Sequence, residues 1–132
     1  MRSLLHKKVS VIIPCSKIDS LTIKCLNEVN RLFPYSEILI LPNNKTSIKK
    51  NNITNTKIIS TGNVSIAKKR NIGAFNASRS ILAFIDSDAY PETNWLERAV
   101  ECLNANPSVC AITGPNISPL EENWSERYVG TA

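Results

Sequence analysis

The sequence has little glycine, histidine and cysteine, and each shortage excludes a class of site. Its four glycines form neither a G-x-x-x-x-G-K nor a G-x-G-x-x-G pattern, which argues against a phosphate loop and a dinucleotide-binding turn. The single histidine, His6, lies in an amino-terminal segment that we expect to be frayed, so histidine-based catalysis is not expected. The four cysteines lack C-x-x-C spacing, and we expect them to be reduced and mostly buried.

Long hydrophobic runs are also missing. The longest, SILAFI at residues 80–85, is far shorter than the roughly 20 residues of a membrane span. Hydrophobic residues make up 42% of the 132 residues and charged residues 20%, which indicates a globular chain. We therefore expect a soluble, cytoplasmic protein, with the cytosolic face of a membrane and a membrane-proximal partner as the alternative.

Negative charge is scarce in the first half of the chain. Residues 1–70 contain 13 Lys and Arg against 3 Asp and Glu, whereas residues 71–132 contain 3 against 8. A basic half facing an acidic site would attract an anionic ligand that also carries a metal, although solvated lysines explain most of these charges. A nucleic-acid binder is disfavoured, because no basic face interleaved with aromatic residues is present.

Strand and helix patterns alternate along the chain. Short β-branched runs predict strands at 7–14, 36–42, 57–60, 80–85 and 108–113. Helical spacing predicts helices at 19–33, capped by Asp19 or Ser20, at 66–78, capped by Ser65, and at 92–106. Continuous apolar strands that alternate with helices indicate a three-layer α/β fold with a mainly parallel, Rossmann-like sheet.

Two carboxylates follow the predicted strand at 80–85. Asp86 and Asp88 stand one residue apart, where their repulsion is unfavourable unless a cation or hydrogen bonds neutralise it. The simpler interpretation is a polar turn that caps the next helix. Ligands of parallel α/β sheets bind at the carboxyl ends of strands, and the nearby Lys68, Lys69 and Arg70 could meet phosphates, so position favours a ligand site.

Three ordered segments resemble family 2 glycosyltransferases of the GT-A fold. They are VSVIIP near the start, SIAKKRNIGAFNASRSILAFIDSDAYPETNWLERAV in the middle, and AITGPN after it. The resemblance covers residues 8–116, with an irregular tail at 117–132. It implies a single, truncated nucleotide-sugar-binding domain over 1–132, taken from inverting enzymes that use nucleotide-diphospho sugars, UDP first among them, with Mn²⁺ or Mg²⁺.

The resemblance also implies roles for individual residues. Asp88 matches the metal-binding aspartate of the family's D-x-D, and Asp86 matches the one near the ribose. Arg70 stands at the arginine of the family's A-R-N-x-G and would contact the nucleotide, unless it is only a solvated helix residue. Pro14 ends the first strand beside the base. Gly73 would allow close packing of its helix on the sheet.

The sequence departs from the family in three ways. Asn43 stands where the family has an aspartate that pairs with uracil, so the identity of the base is open. No aromatic residue follows soon after Pro14, so a stacking partner for the base is missing. The acceptor-binding half, with its general base, follows the G-P-N stretch in the family, and only Glu121, Glu122 and Glu126 remain as candidates here. A non-catalytic nucleotide-sugar-binding or interaction module is therefore the alternative function.

Overall fold

Helices and strands alternate along the chain, as the sequence pattern predicts. The computed structural model describes residues 2–48 and 55–117. In chain order its elements are α1 (Arg2–His6), β1 (Val9–Pro14), α2 (Ser20–Leu32), β2 (Glu37–Leu41), β3 (Thr56–Ile58), α3 (Ile66–Asn76), β4 (Ile81–Phe84) and α4 (Trp95–Ala105). Every element except α1 overlaps a predicted segment, and the predicted and observed bounds differ by at most three residues. Helix α1 was not predicted.

The four strands form one parallel sheet with the order β3-β2-β1-β4. The chain moves outward from β1 through β2 to β3, returns through α3, and adds β4 on the other side of β1. In such sheets a crevice opens where the strand order reverses, here at the carboxyl ends of β1 and β4. The prediction of an α/β fold with a mainly parallel sheet is confirmed, and this crevice is where Asp86 and Asp88 follow β4.

Both faces of the sheet are covered, because the two central strands are buried along their whole length. Val11 and Ile13 point to one side and pack in a cluster with buried residues of α2 and α4. Ile12 points to the other side, where it packs with Leu41 of β2 and Ile72 of α3. Since neighbouring strand residues face opposite ways, β1 and β2 anchor both helical layers, and each buried aliphatic side chain contributes about 1.5–3 kcal/mol.

Helices α2 and α3 begin after residues that cap them. The Asp19 carboxylate accepts from the backbone N–H of Thr22 at 3.0 Å, so Asp19 rather than Ser20 caps α2. The Ser65 hydroxyl accepts from the backbone N–H of Lys68 at 3.2 Å and caps α3 as predicted. Each cap satisfies one of the free N–H groups at a helix start and fixes the residue at which the helix begins.

The prediction of a frayed amino terminus is wrong. His6 is 4% exposed, its Nε2 lies 2.9 Å from the Glu97 Oε1, and its ring meets Phe33 edge-on with the centroids 5.2 Å apart. The Ser36 hydroxyl also donates to the His6 carbonyl at 3.2 Å. Since Glu97 is 91 residues further along the chain, no local pattern around His6 could indicate this contact.

The chain divides into two compact units, Met1–Cys102 and Leu103–Ala132. In the second, which is described as far as residue 117, α4 ends and residues 106–117 form a turn and coil. The fifth strand predicted at 108–113 is wrong, because these residues are turn and coil; β propensity alone does not make a strand. Beyond residue 117, the predicted irregular tail lies outside the described residues.

Two expectations from composition are tested by the described part of the chain. The four cysteines, all within the described residues, form no disulfide; Cys15 and Cys25 are buried, whereas Cys102 and Cys110 are exposed, so the expectation that most are buried holds for half of them. Among the described helices, none is both long and apolar enough to cross a lipid bilayer.

Candidate functional site

Asp86 and Asp88 lie in a turn at the carboxyl end of β4. The backbone N–H of Ile85 donates to the Ile12 carbonyl at 3.2 Å and extends the pairing of β1 with β4 past the end of the strand. The backbone N–H of Ala89 then donates to the Asp86 carbonyl at 3.0 Å and closes a turn over residues 86–89. Both aspartates are exposed. The turn therefore presents two carboxylates at the crevice that the topology opens.

Arg70 reaches this turn from α3. Its Nη2 lies 2.8 Å from the Asp86 Oδ1, which brings together two of the residues that the sequence assigns to the site. The Arg70 and Asp86 side chains are 41% and 64% exposed, and ion pairs in such settings contribute only about 0–1 kcal/mol of stability. The pair therefore does little for the fold, and it orients a guanidinium and a carboxylate at the crevice.

Asp88 has no hydrogen bond or ion pair with any of the described residues, although it is two residues from Asp86. The described part of the chain also contains no group of three or more His, Cys, Asp or Glu that could enclose a metal ion. Mg²⁺ and Mn²⁺ are commonly held by one or two carboxylates, with water and substrate phosphates completing the shell. A free carboxylate at an open edge fits that mode of binding and does not fit a metal enclosed by protein ligands alone.

Cys25 fixes the turn from the opposite helical layer. Its thiol donates to the Asp86 carbonyl at 3.6 Å. Burial raises the pKa of the Cys25 thiol to about 12, and the negative charges of Asp88 and Asp86 add to the increase. The thiol is therefore protonated at neutral pH, which suits a hydrogen-bond donor that holds the turn and excludes a nucleophilic thiolate.

Pro14 and Asn43 lie where the first two strands end. Pro14 is paired with Leu41 across the parallel ladder. The ladder continues past both strands, because the Cys15 N–H donates to the Leu41 carbonyl at 3.2 Å and the Asn43 N–H donates to the Ser16 carbonyl at 3.0 Å. Since β1 also pairs with β4, Pro14 lies between the segment of Asn43 and the turn of the two aspartates. The sheet thus brings all five predicted site residues to one edge.

The backbone of Asn43 is fully hydrogen-bonded, whereas its side chain is not. Its carbonyl accepts from the Gly62 N–H and from the Ser60 hydroxyl, each at 2.9 Å. Gly62 has a φ of +73°, a conformation that favours glycine. The Asn43 Oδ1 is shielded from solvent and has no partner among the described residues. The protein thus fixes the Asn43 backbone and leaves the shielded Oδ1 without a partner among the described residues.

Lys69 is the site-adjacent residue that the sequence places wrongly. It is 1% exposed, and its Nζ donates to the Leu41 carbonyl at 3.1 Å and to the Thr61 Oγ1 at 2.7 Å, so it does not face solvent as a phosphate ligand would. Burial lowers the pKa of Lys69, and the nearby Cys15 partly opposes the decrease. The sequence contains a signal for the burial of Lys69. Lys69 is four residues before Gly73, which the sequence assigns to the sheet-facing side of the helix, and residues four apart share a helix face.

The candidate general bases Glu121, Glu122 and Glu126 lie outside the described residues. The described residues bring together an exposed carboxylate, an arginine–aspartate pair and an asparagine with an anchored backbone.

Comparison with known proteins identifies one family. The model of the family "Glycosyl transferase family 2" matches residues 10–130. A solved structure, residues 1–349 of TarS from S. aureus, has a similar fold, with a TM-score of 0.55 and 21% sequence identity over 74% of this chain and 32% of that one. This chain thus spans about a third of the TarS structure. No curated protein matches the sequence. Since the family model covers most of the chain, this protein belongs to glycosyl transferase family 2.

Proposed function

We propose that this chain is the donor-binding part of an inverting family 2 glycosyltransferase and binds a nucleotide-diphospho sugar, UDP first among the nucleotides, together with Mn²⁺ or Mg²⁺. The observation that carries the proposal is the meeting of Asp86, Asp88 and Arg70 at the crevice between β1 and β4. An anionic diphosphate and a hard cation would both meet complementary groups there.

Each of these side chains has a different role in the proposal. Asp88, which has no described partner, would hold the cation through a carboxylate oxygen. When bound, the cation would stabilise negative charge on the leaving diphosphate. Arg70 has five N–H donors and uses one of its nitrogens on Asp86, so the others can bind the nucleotide. Asp86, oriented by Arg70, would accept a hydrogen bond from the ribose.

The base would lie against Pro14 and Asn43. An amide presents both an acceptor and two donors, whereas the aspartate that the family resemblance implies at this position only accepts. Asn43 is therefore compatible with uracil and also with other bases. This is the reason to test several nucleotides rather than UDP alone.

A complete sugar transfer also needs a base to deprotonate the acceptor hydroxyl as it attacks the anomeric carbon. We assign no described residue to that step. The proposal gives donor binding to the described residues and leaves acceptor chemistry to residues outside the described part or to a partner chain.

A non-catalytic nucleotide-sugar-binding module is the second candidate. The observation that favours it is that the described site groups, Asp86, Asp88 and Arg70, are the set proposed for donor binding, and no described residue is assigned as the base of sugar transfer. Metal-dependent turnover of a sugar nucleotide by the purified chain would select the enzyme, and binding without turnover would select the module.

The experiment that tests donor binding is a thermal-shift and calorimetric titration with UDP-, GDP- and dTDP-sugars, with and without Mn²⁺. At a ligand concentration 100 times Kd, the unfolding free energy should increase by about 2.7 kcal/mol. In a domain of this size that corresponds to a Tm increase on the order of 10 °C. The increase should require Mn²⁺ and disappear in Asp88→Asn.

Glu101→Gln is the matched control, because Glu101 is an exposed carboxylate on α4 outside the proposed site. It should respond to ligand like the parent protein. If no sugar nucleotide raises the Tm of the parent, or if Asp88→Asn responds as the parent does, donor binding at this site is wrong. A nucleic-acid binder would instead show steep salt dependence and indifference to Mn²⁺.

A further inference from the structure

Lys69 is a buried cation without a carboxylate partner. It is 1% exposed, and within the described ranges its ammonium forms no ion pair with any Asp or Glu. Unpaired buried charge is unfavourable, so such groups are generally paired or used. The two hydrogen bonds of Lys69 indicate what it does.

The ammonium joins the two segments that hold the Asn43 backbone. One bond goes to the Leu41 carbonyl, two residues before Asn43, and the other to the Thr61 hydroxyl. Thr61 adjoins Gly62, whose N–H donates to the Asn43 carbonyl at 2.9 Å. Lys69 therefore links the end of β2 to the loop after β3 on both sides of Asn43.

Among the described residues, Asn43 is held through its backbone alone, by bonds to Ser16, Ser60 and Gly62. Its Oδ1 has no partner, and its amide nitrogen forms no hydrogen bond with the described residues. The amide is therefore not committed to another described group, its location depends on the backbone, and rotation of the side chain would turn the shielded Oδ1 or the NH₂ towards a ligand. A change that loosens the backbone would displace the amide without touching Asp86 or Asp88.

We infer that Lys69 is a positioning residue for nucleobase recognition: by tying Leu41 to Thr61 it holds Asn43 where the amide meets the base. The inference rests on the proposed donor function. Residue 69 then controls affinity for the nucleoside part of the donor and leaves the diphosphate and metal part unchanged. A residue that only supported the fold would affect both parts alike.

The test compares UDP with inorganic pyrophosphate, each titrated calorimetrically with Mn²⁺. Lys69→Met keeps most of the side-chain volume and removes the charge and both hydrogen bonds. It should lower the affinity for UDP about tenfold, as expected for the loss of hydrogen bonds to a charged group. It should change the affinity for pyrophosphate by less than about twofold. Thr61→Val removes the hydroxyl that accepts from Lys69 and that also lies within hydrogen-bond distance of the Pro42 and Gly62 carbonyls, and it should shift the same ratio in the same direction. Lys7→Met, which removes a lysine at the opposite edge of the sheet, should leave both affinities unchanged.

A double-mutant cycle tests whether Lys69 acts through Asn43. Asn43→Ala should lower the affinity for UDP. Adding Lys69→Met to Asn43→Ala should lower it by less than about a further twofold, because the effects of two coupled substitutions do not add. Full additivity would overturn the inference.

The outcomes separate the inference from the proposed function. If the parent binds both ligands and Lys69→Met leaves the ratio of their affinities unchanged, only the inference is wrong. If the parent binds neither ligand, the proposed function is wrong and the inference with it. If the circular dichroism spectrum of Lys69→Met differs from that of the parent, the ratio of UDP to pyrophosphate affinity measured for Thr61→Val tests the inference instead.

Discussion

At the scale of single residues, two carboxylates of this protein differ in whether other groups already bind them. Glu37, at the start of β2, is 4% exposed and accepts hydrogen bonds from the Lys57 Nζ at 2.7 Å, the Ser78 N–H at 2.8 Å and the Ser10 hydroxyl. Asp88 is exposed and has no partner among the described residues. Since Glu37 is buried and already accepts from three donors, Asp88 and not Glu37 is the acidic group to test with a metal.

Glu37 predicts a loss of stability in acid. Burial opposes its charged form, but the hydrogen bonds from Lys57, Ser10 and Ser78 outweigh burial and lower the pKa of Glu37 to about 2, against an ordinary value of 4.5. Because the folded pKa is the lower one, the stabilisation is present above pH 4.5 and is lost as the pH falls towards 2. Its size is on the order of 3 kcal/mol. Urea unfolding between pH 6 and 2 should show Glu37→Gln less stable near neutrality and less sensitive to acid; parallel pH profiles would contradict this.

At the scale of elements, the contact between α3 and the sheet places the site. Gly73 lies against β1 so closely that a Cβ added there would be 2.6 Å from the Ile12 Cγ2 and 3.3 Å from the Leu41 Cδ1. Ile12 and Leu41 are fully buried, so neither has room to move away. This approach brings Lys69 and Arg70, on the same helix, to the ends of β2 and β4 respectively. Glycine at 73 is therefore a condition for the ion pair with Asp86.

Gly73→Ala should destabilise the protein. The added methyl group must displace a β-branched side chain in a packed core, which costs about 1–3 kcal/mol, although alanine is the better helix former. Gly114→Ala is the control, because a Cβ there would meet nothing within 4 Å. Denaturant unfolding measures both, and equal stabilities of the two variants would show that α3 can shift without cost.

At the scale of the whole molecule, the features that the sequence predicts are those with local causes. Local patterns, in which the residues lie within a few positions of one another, predict the four strands, three of the four helices and the Ser65 cap. The five site residues were predicted from the resemblance to the family. Lys69 and His6 were misplaced because their partners, Leu41 and Glu97, are 28 and 91 residues away. Such contacts exist only after the layers have packed. The strand expected at 108–113 was wrong for a related reason, since its formation depends on a neighbour rather than on its own residues.

The His6–Glu97 contact predicts how strongly α1 is tied to α4. Both side chains are buried, and each retains one polar atom, the His6 Nδ1 and the Glu97 Oε2, without a partner among the described residues. Replacing one member alone leaves the other buried and unpaired, so His6→Leu and Glu97→Leu should each cost about 1–3 kcal/mol. The double variant should lie within about 1 kcal/mol of the parent, because apolar replacement of a whole buried pair is often neutral. The exposed pair of Glu28 and Arg31 is the control, and breaking it should cost less than about 1 kcal/mol. Urea unfolding of the four proteins of the cycle measures the coupling, and simple addition of the two single losses would show that the contact does not link the two helices.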